Sequence, residues 1–201
     1  MIKLFLFDLG GVIIEVHEEK YFRYLSSINK VSPDLTRAII NRSGQQLELG
    51  RMDLSKFQAE IGKELGIPGR KIGWFTFFKK HATLDKGTMA IVKSLKDNYK
   101  IAFLSNVDKW RYNFIVKRMF RDVLHLFDYK FASFALGMVK PSPMIYKKVL
   151  KDMHMKPSEV IFIDNNLNNV VGARSVGIRS LQFTNSKKLK LDLKKLRVKL
   201  N

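Results

Sequence analysis

The sequence predicts an α/β protein: a doubly wound parallel sheet into which a small helical bundle is inserted. Three short apolar runs share one design, since Leu4–Phe7, Ile101–Leu104 and Val160–Ile163 end respectively on Asp8, Ser105 and Asp164. Apolar runs without alternation suit strands buried on both faces, as in parallel sheets. Helix-like stretches separate the later runs, which is the pattern of parallel strands joined by crossover helices. More than ninety residues part the first run from the second, too many for one crossover and too periodic for a loop.

In chain order, the first strand leads through Gly10 and Gly11 toward the insertion. Within it, Tyr21–Ile28, Pro33–Asn41, Asp53–Leu65 and Lys71–Lys80 carry apolar residues at helical spacing, with Asp53 suited to an N-cap and Gly66 to a C-terminal stop. Residues 16–82 therefore read as a helical cap, and residues 1–15 with 83–201 as the α/β core. Thr83–Asn98 supplies the helix leading into the second strand. Tyr129–Ser133 reads as a weaker strand and Ile178–Phe183, after Gly177, as a further one. Near the C-terminus Leu189, Leu193, Leu196 and Leu200 repeat at helical spacing among seven basic residues. That pattern suits a closing amphipathic helix with a solvated basic face, or a basic arm for a membrane surface or nucleic acid.

Composition limits the partners. The 201 residues include 37 Lys plus Arg against 18 Asp plus Glu, a net charge of +19 that favours anionic partners. The excess is spread along the chain, so it does not single out a dedicated patch. The absence of cysteine excludes disulfides, zinc-thiolate sites and thiol nucleophiles, and fits a cytoplasmic protein. Asp8 interrupts the apolar start, which is therefore not read as a signal peptide, and no segment approaches a membrane span. The sequence carries no signal for an oligomeric state.

Polar residues at the carboxyl ends of parallel strands converge on the crevice where open α/β sheets bind ligands. Asp8, followed by a flexible Gly10-Gly11 pair, suits a carboxylate nucleophile, although a strand-end Asp also caps helices. Ser105 and Asn106 offer hydroxyl and amide donors for phosphate oxygens, or a local cap. Lys140 precedes an evident helix, where a cation neutralises a carboxylate and a bound phosphate. Asp164, Asn165, Asn166 and Asn169 offer oxygens to a hard cation such as Mg2+, or hydrogen bonds that orient the site. Arg51, at a turn between helices, is a candidate substrate anchor. Trp74, Phe75, Phe77 and Phe78 form an aromatic cluster that either packs the bundle or lines a pocket. None of the four histidines pairs with another at metal-ligand spacing.

In this order, FLFDLGGVI, AFLSN, LGMVKPSPMIY and FIDNNLNNVVGARSVGI resemble the motifs of the haloacid dehalogenase-like hydrolase superfamily, and residues 16–82 resemble its helical cap. Within it, FDLGGVI, LGMVKP and DNNxxN most resemble the branch that includes α-D-glucose-1-phosphatase. The resemblance implies a Rossmann-like core and a Mg2+-dependent phosphatase acting on a small phosphorylated metabolite, with sugar phosphates favoured. By its motifs, Asp8 is the nucleophile, and Ser105 and Lys140 hold the phosphoryl group with Gly10, Gly11 and Asn106. The metal ligands it implies are Asp8, the Gly10 carbonyl, and Asp164 or Asn165.

Two positions depart from the superfamily pattern. Gly10 stands where most of its phosphatases carry a second Asp that acts as general acid and base, and Glu15 or His17 is a candidate substitute. Asn165 stands where the metal-binding Asp is usual, and contributes no charge. These departures keep two alternatives in view: a feeble catalyst that binds nucleic acid or another anion, and a metal-independent 2-haloacid dehalogenase.

Overall fold

The computed structural model describes residues 1–200, with the side chain of Phe75 and residue 201 outside the described residues. Five parallel strands form the core sheet: β1 (Leu4–Phe7), β4 (Lys100–Ser105), β5 (Tyr129–Ala132), β6 (Val160–Asp164) and β7 (Arg179–Gln182), in the order β5-β4-β1-β6-β7. Two short strands, β2 (Ile14–Glu15) and β3 (Thr83–Leu84), pair antiparallel at either end of the insertion. The register sets Phe7 beside both Phe103 and Ile163. Asp8 and Asp164 therefore leave the sheet at one level, tied by the Asp8 N–H donating to the Ile163 carbonyl at 2.8 Å, with Ser105 one step further along β4.

Unbroken apolar strands bury both faces, and each face has its own core. Phe5, Phe7, Ile101, Phe103, Ile161 and Ile163 point to one side, Leu4, Leu6, Ala102, Leu104, Val160 and Phe162 to the other. The second face is covered by α9 (Pro143–Asp152) and α10 (Leu167–Arg174), through residues such as Tyr146, Val149 and Ala173. The first is covered by α5 (Lys86–Lys96), with α11 (Ser186–Lys195) packed on it through buried Leu189 and Leu193. That last helix stops at Lys195, short of the leucine repeat, and Arg197 adopts a left-handed backbone.

The inserted helices are α1 (Glu18–Asn29), α2 (Pro33–Glu48), α3 (Leu54–Glu64) and α4 (Trp74–His81). Their apolar faces, including Tyr21, Leu25, Phe57 and Trp74, join the core of the first sheet face. Local chemistry sets the boundaries. Pro33 occupies the first turn of α2, Asp53 Oδ1 accepts from the Lys56 N–H at 2.8 Å, and Gly66 turns the chain after α3 with φ of +66°. Two expectations need correction. Helix α2 runs on to Glu48 rather than ending at Asn41, because buried Leu47 anchors a polar stretch whose sequence hides the helix. The single helix expected over 71–80 is split, because Gly73 at φ +59° cannot continue the 3₁₀ turn Gly69–Ile72 into α4.

After β4, Asp108 caps the short α6 (Lys109–Arg111) by accepting from the Arg111 N–H at 2.8 Å, and a π-helical segment follows over Tyr112–Met119. Helices α7 (Arg121–Leu124) and α8 (Ser133–Leu136) flank β5. No helix among the described residues is long and apolar enough to cross a membrane.

Candidate active site

The strand ends bring Asp8, Ser105, Lys140 and the 164–169 loop together, as their sequence positions predict. Asp8, Ser105, Lys140 and, from that loop, Asn165, Asn166 and Asn169 line one cavity of about 390 Å³ with Gly10, Gly11 and Asn106. At its base, Lys140 Nζ lies 2.9 Å from Asp8 Oδ1 and 2.7 Å from Asp164 Oδ2, with only 1% of the lysine side chain exposed. Both described contacts to the Asp8 carboxylate fall on Oδ1, which also accepts from the Leu9 N–H at 2.7 Å.

Hydrogen bonds hold each end of this triad in place. Asn106 clamps the main chain of Lys140, donating to its carbonyl and accepting from its N–H, both at 2.9 Å. Asp164 is fully buried; its Oδ1 accepts from the Asn166 N–H at 2.8 Å and its Oδ2 from Asn169 Nδ2 at 3.0 Å. The Tyr146 hydroxyl donates to the Asn169 carbonyl at 2.8 Å from the core side. Burial pushes the Asp8 carboxyl up to about 6; the Lys140 ammonium opposes this and the Asp164 charge adds to it. Burial alone would pull Lys140 down, but its two carboxylates prevail and hold it above its ordinary value.

Asn106 lines the cavity, and its side chain also holds the main chain of Lys140. Asp164 is fully buried, with both oxygens hydrogen-bonded and one of them to Lys140, and Asn165 faces the cavity. Arg51 lies outside this cavity, along a second one of about 870 Å³ lined also by Trp110 and Phe134.

The glycines have different reasons. Gly11 has φ +75°, and a Cβ there would collide with the Asn165 side chain, so the Asp8–Gly11 turn and the Asn165 amide fit against each other. A Cβ on Gly10 would meet nothing within 4 Å.

Sequence spacing missed the upper wall. Arg111 from the core lies 3.0 Å from Glu48 at the end of α2, also pairs with Asp108, and sits 5.4 Å from the Trp74 and Phe78 ring centres. Burial would lower the guanidinium, but Asp108 and Glu48 raise it. Arg111, Glu48, Glu18 and Phe78 all line the cavity, and no sequence pattern links positions 18, 48, 78 and 111. Of the aromatic cluster, Trp74 packs against Tyr21 and Phe57, and Phe78 reaches the cavity.

The site suits a hard cation. Two carboxylates share one ammonium, leaving one negative charge uncompensated at the cavity base, beside amide and backbone oxygens. Among the described residues no three acidic or histidine side chains converge, so any such cation would rest on a mixed oxygen set.

Comparison with known proteins agrees with this architecture. A sequence model of the haloacid dehalogenase-like hydrolases matches residues 2–177. A D-ribitol-5-phosphate phosphatase from Bacteroides thetaiotaomicron is 26% identical over 195 residues, spanning 92% of this chain and 93% of its own. Sesquiterpene phosphatase astK from Aspergillus oryzae is 27% identical over 197 residues, spanning 96% of each chain. The crystal structure of a HAD family enzyme from B. thetaiotaomicron, in complex with magnesium and inorganic phosphate, superposes with a TM-score of 0.75. It is 23% identical, covers 92% of this chain and 96% of its own, and shares the fold.

Proposed function

We propose that this chain, which belongs to the haloacid dehalogenase-like hydrolases, is a Mg2+-dependent phosphatase of a small phosphorylated metabolite, working through a phosphoryl group carried on Asp8. A sugar or polyol phosphate is the favoured substrate. The observation that carries this reading is the Asp8–Lys140 pair, a carboxylate at a strand end whose Oδ1 is fixed by Lys140 and the Leu9 N–H at the base of a cavity. The two full-length phosphatase relatives support the reaction class, and one of them acts on a polyol phosphate.

In the first half of the reaction the free Asp8 oxygen attacks phosphorus in line, the new O–P bond forming as the ester P–O bond breaks. Lys140 and the Ser105 hydroxyl offset charge on the equatorial oxygens. In the second half water attacks phosphorus and Asp8 departs as the carboxylate. Residues 16–82 act as a cap over the cavity, through Glu18, Glu48 and Phe78. Mg2+ would be held by Asp8, the Gly10 carbonyl and Asn165, and when bound supplies positive charge against the phosphoryl oxygens.

A phosphoryl-enzyme is directly testable. Acid quench during turnover of p-nitrophenyl phosphate, followed by peptide mass spectrometry, is expected to place about 80 Da on the peptide containing Asp8, the mass added by one phosphoryl group. Steady turnover with no covalent adduct, and with Asp8→Asn fully active, would overturn the mechanism.

A further inference from the structure

We infer that Glu18 is the general acid and base of this reaction, protonating the leaving oxygen in the first half and taking a proton from water in the second. The inference rests on the phosphatase reading above, and starts from the chemistry the cavity must supply. An alkoxide is a poor leaving group, so ester cleavage needs a proton donor on the side away from Asp8.

The cavity offers few candidates. Asp8 is the nucleophile, Lys140 is locked between two carboxylates, and Glu48 is paired with Arg111 at 3.0 Å. Arginine gives up no proton at ordinary pH. Glu15 and His17, the hinge residues from which a donor was expected, do not line the cavity. Glu18 does, and its carboxyl has neither a hydrogen bond nor an ion pair among the described residues. It opens α1 directly after the β2 hinge, on the cap side of the cavity. Gly10, in the same cavity wall, carries no side chain, and a Cβ there would meet nothing within 4 Å.

The electrostatic surroundings agree. Glu18 is exposed to solvent on one side, and desolvation on its cavity side raises its carboxyl above the ordinary value; Arg111 opposes this, Glu48 adds to it, and Arg37 and Glu19 act more weakly in opposite directions. A carboxyl shifted in this direction keeps a proton closer to neutral pH than a fully solvated glutamate does.

The protons balance. As the Asp8–phosphorus bond forms and the ester bond breaks, the electron pair goes to the leaving oxygen, which takes the Glu18 proton. The glutamate then accepts a proton from the attacking water as the Asp8–phosphorus bond breaks, and Glu18 is ready for the next cycle.

The test compares leaving groups in the full chain with Mg2+. In Glu18→Gln, the burst of p-nitrophenol from p-nitrophenyl phosphate, whose leaving group needs no proton, is expected to keep its rate within about threefold. Hydrolysis of glycerol phosphate is expected to fall about 100-fold or more and to lose its decline at alkaline pH. Adding Gly10→Asp, which places a carboxyl in the open space, is expected to restore part of the glycerol phosphate rate. An equal fall on both substrates, or no fall on either, would overturn the role of Glu18. A parent protein inert toward both substrates would overturn the phosphatase reading itself, and this role with it.

Discussion

Lys140 Nζ lies 2.9 Å from Asp8 Oδ1, yet it lies closer still, at 2.7 Å, to Asp164, so Asp8 shares its buried ion-pair partner with a second carboxylate. The arrangement leaves Asp8 poorly neutralised in the absence of a further cation. Burial and the neighbouring Asp164 outweigh Lys140 and push the carboxyl up to about 6. A carboxylate at a cavity floor thus keeps its negative charge at a cost to the stability of the fold.

That cost has a defined pH window. Because the folded state holds the Asp8 proton more tightly than the unfolded chain does, metal-free stability is expected to fall as pH rises from about 4 to about 6, and then to level off. Asp8→Asn, which cannot ionise, is expected to be more stable than the parent above pH 6 by on the order of 2 kcal/mol. Urea denaturation of both proteins at pH 4.5 and 7.5, in chelator, measures the difference, and parallel profiles would contradict it.

Asp164 is a structural partner of Lys140, with each of its oxygens hydrogen-bonded. Asp164→Ala is therefore expected to destabilise the protein by about 3 kcal/mol, because Lys140, Asn169 and the Asn166 N–H lose a buried acceptor together. A change below about 1 kcal/mol in urea denaturation would show that water replaces the carboxylate.

Legibility in the sequence followed the range of the signal. The runs ending at Asp8, Ser105 and Asp164 announce buried parallel strands, and the fold rule for such strands is enough to gather their ends. Lys140 is legible for the same reason, since its loop leads straight into a capped helix. Hidden were relationships between distant surfaces: Arg111 meets Glu48 only because α2 extends a turn and more past its apolar pattern and α6 is capped by Asp108. Arg51, three residues beyond Glu48, looked equally suited to the cavity. Gly50, at φ +70° and packed against the Phe134 carbonyl, lies at the turn that carries it elsewhere. The roles of Asp164 and Asn165 were likewise undecided, because adjacent residues differ in which way they face, and only the occupied hydrogen bonds separate them.

Asn165 faces the cavity as a neutral oxygen donor against Gly11. Asn165→Asp is expected to lower the Mg2+ concentration for half-maximal activity by about tenfold, since ligand charge sets the affinity of such sites. Magnesium titration of phosphate release reads this directly, and an unchanged midpoint would place the cation away from residue 165.

Arg111 joins the core to the inserted helices through Glu48 and covers Trp74 and Phe78. Arg111→Ala is expected to cost about 3 kcal/mol of stability, because Glu48 and Asp108 are left without their partner. It is also expected to raise KM more than it lowers kcat, as the upper wall loses its shape while Asp8 and Lys140 stay in place. Steady-state kinetics with thermal denaturation test both parts, and a selective loss of kcat would contradict the second.

The most direct measurement is release of inorganic phosphate from p-nitrophenyl phosphate and a panel of sugar and polyol phosphates, with and without Mg2+, in the parent protein and in Asp8→Asn. Metal-dependent turnover that the substitution lowers by about 10⁴-fold or more is the predicted result, as expected when a covalent nucleophile is removed. Phosphate release that is indifferent to Asp8, or none above the variant on any substrate, would contradict a phosphatase built on the Asp8–Lys140 pair.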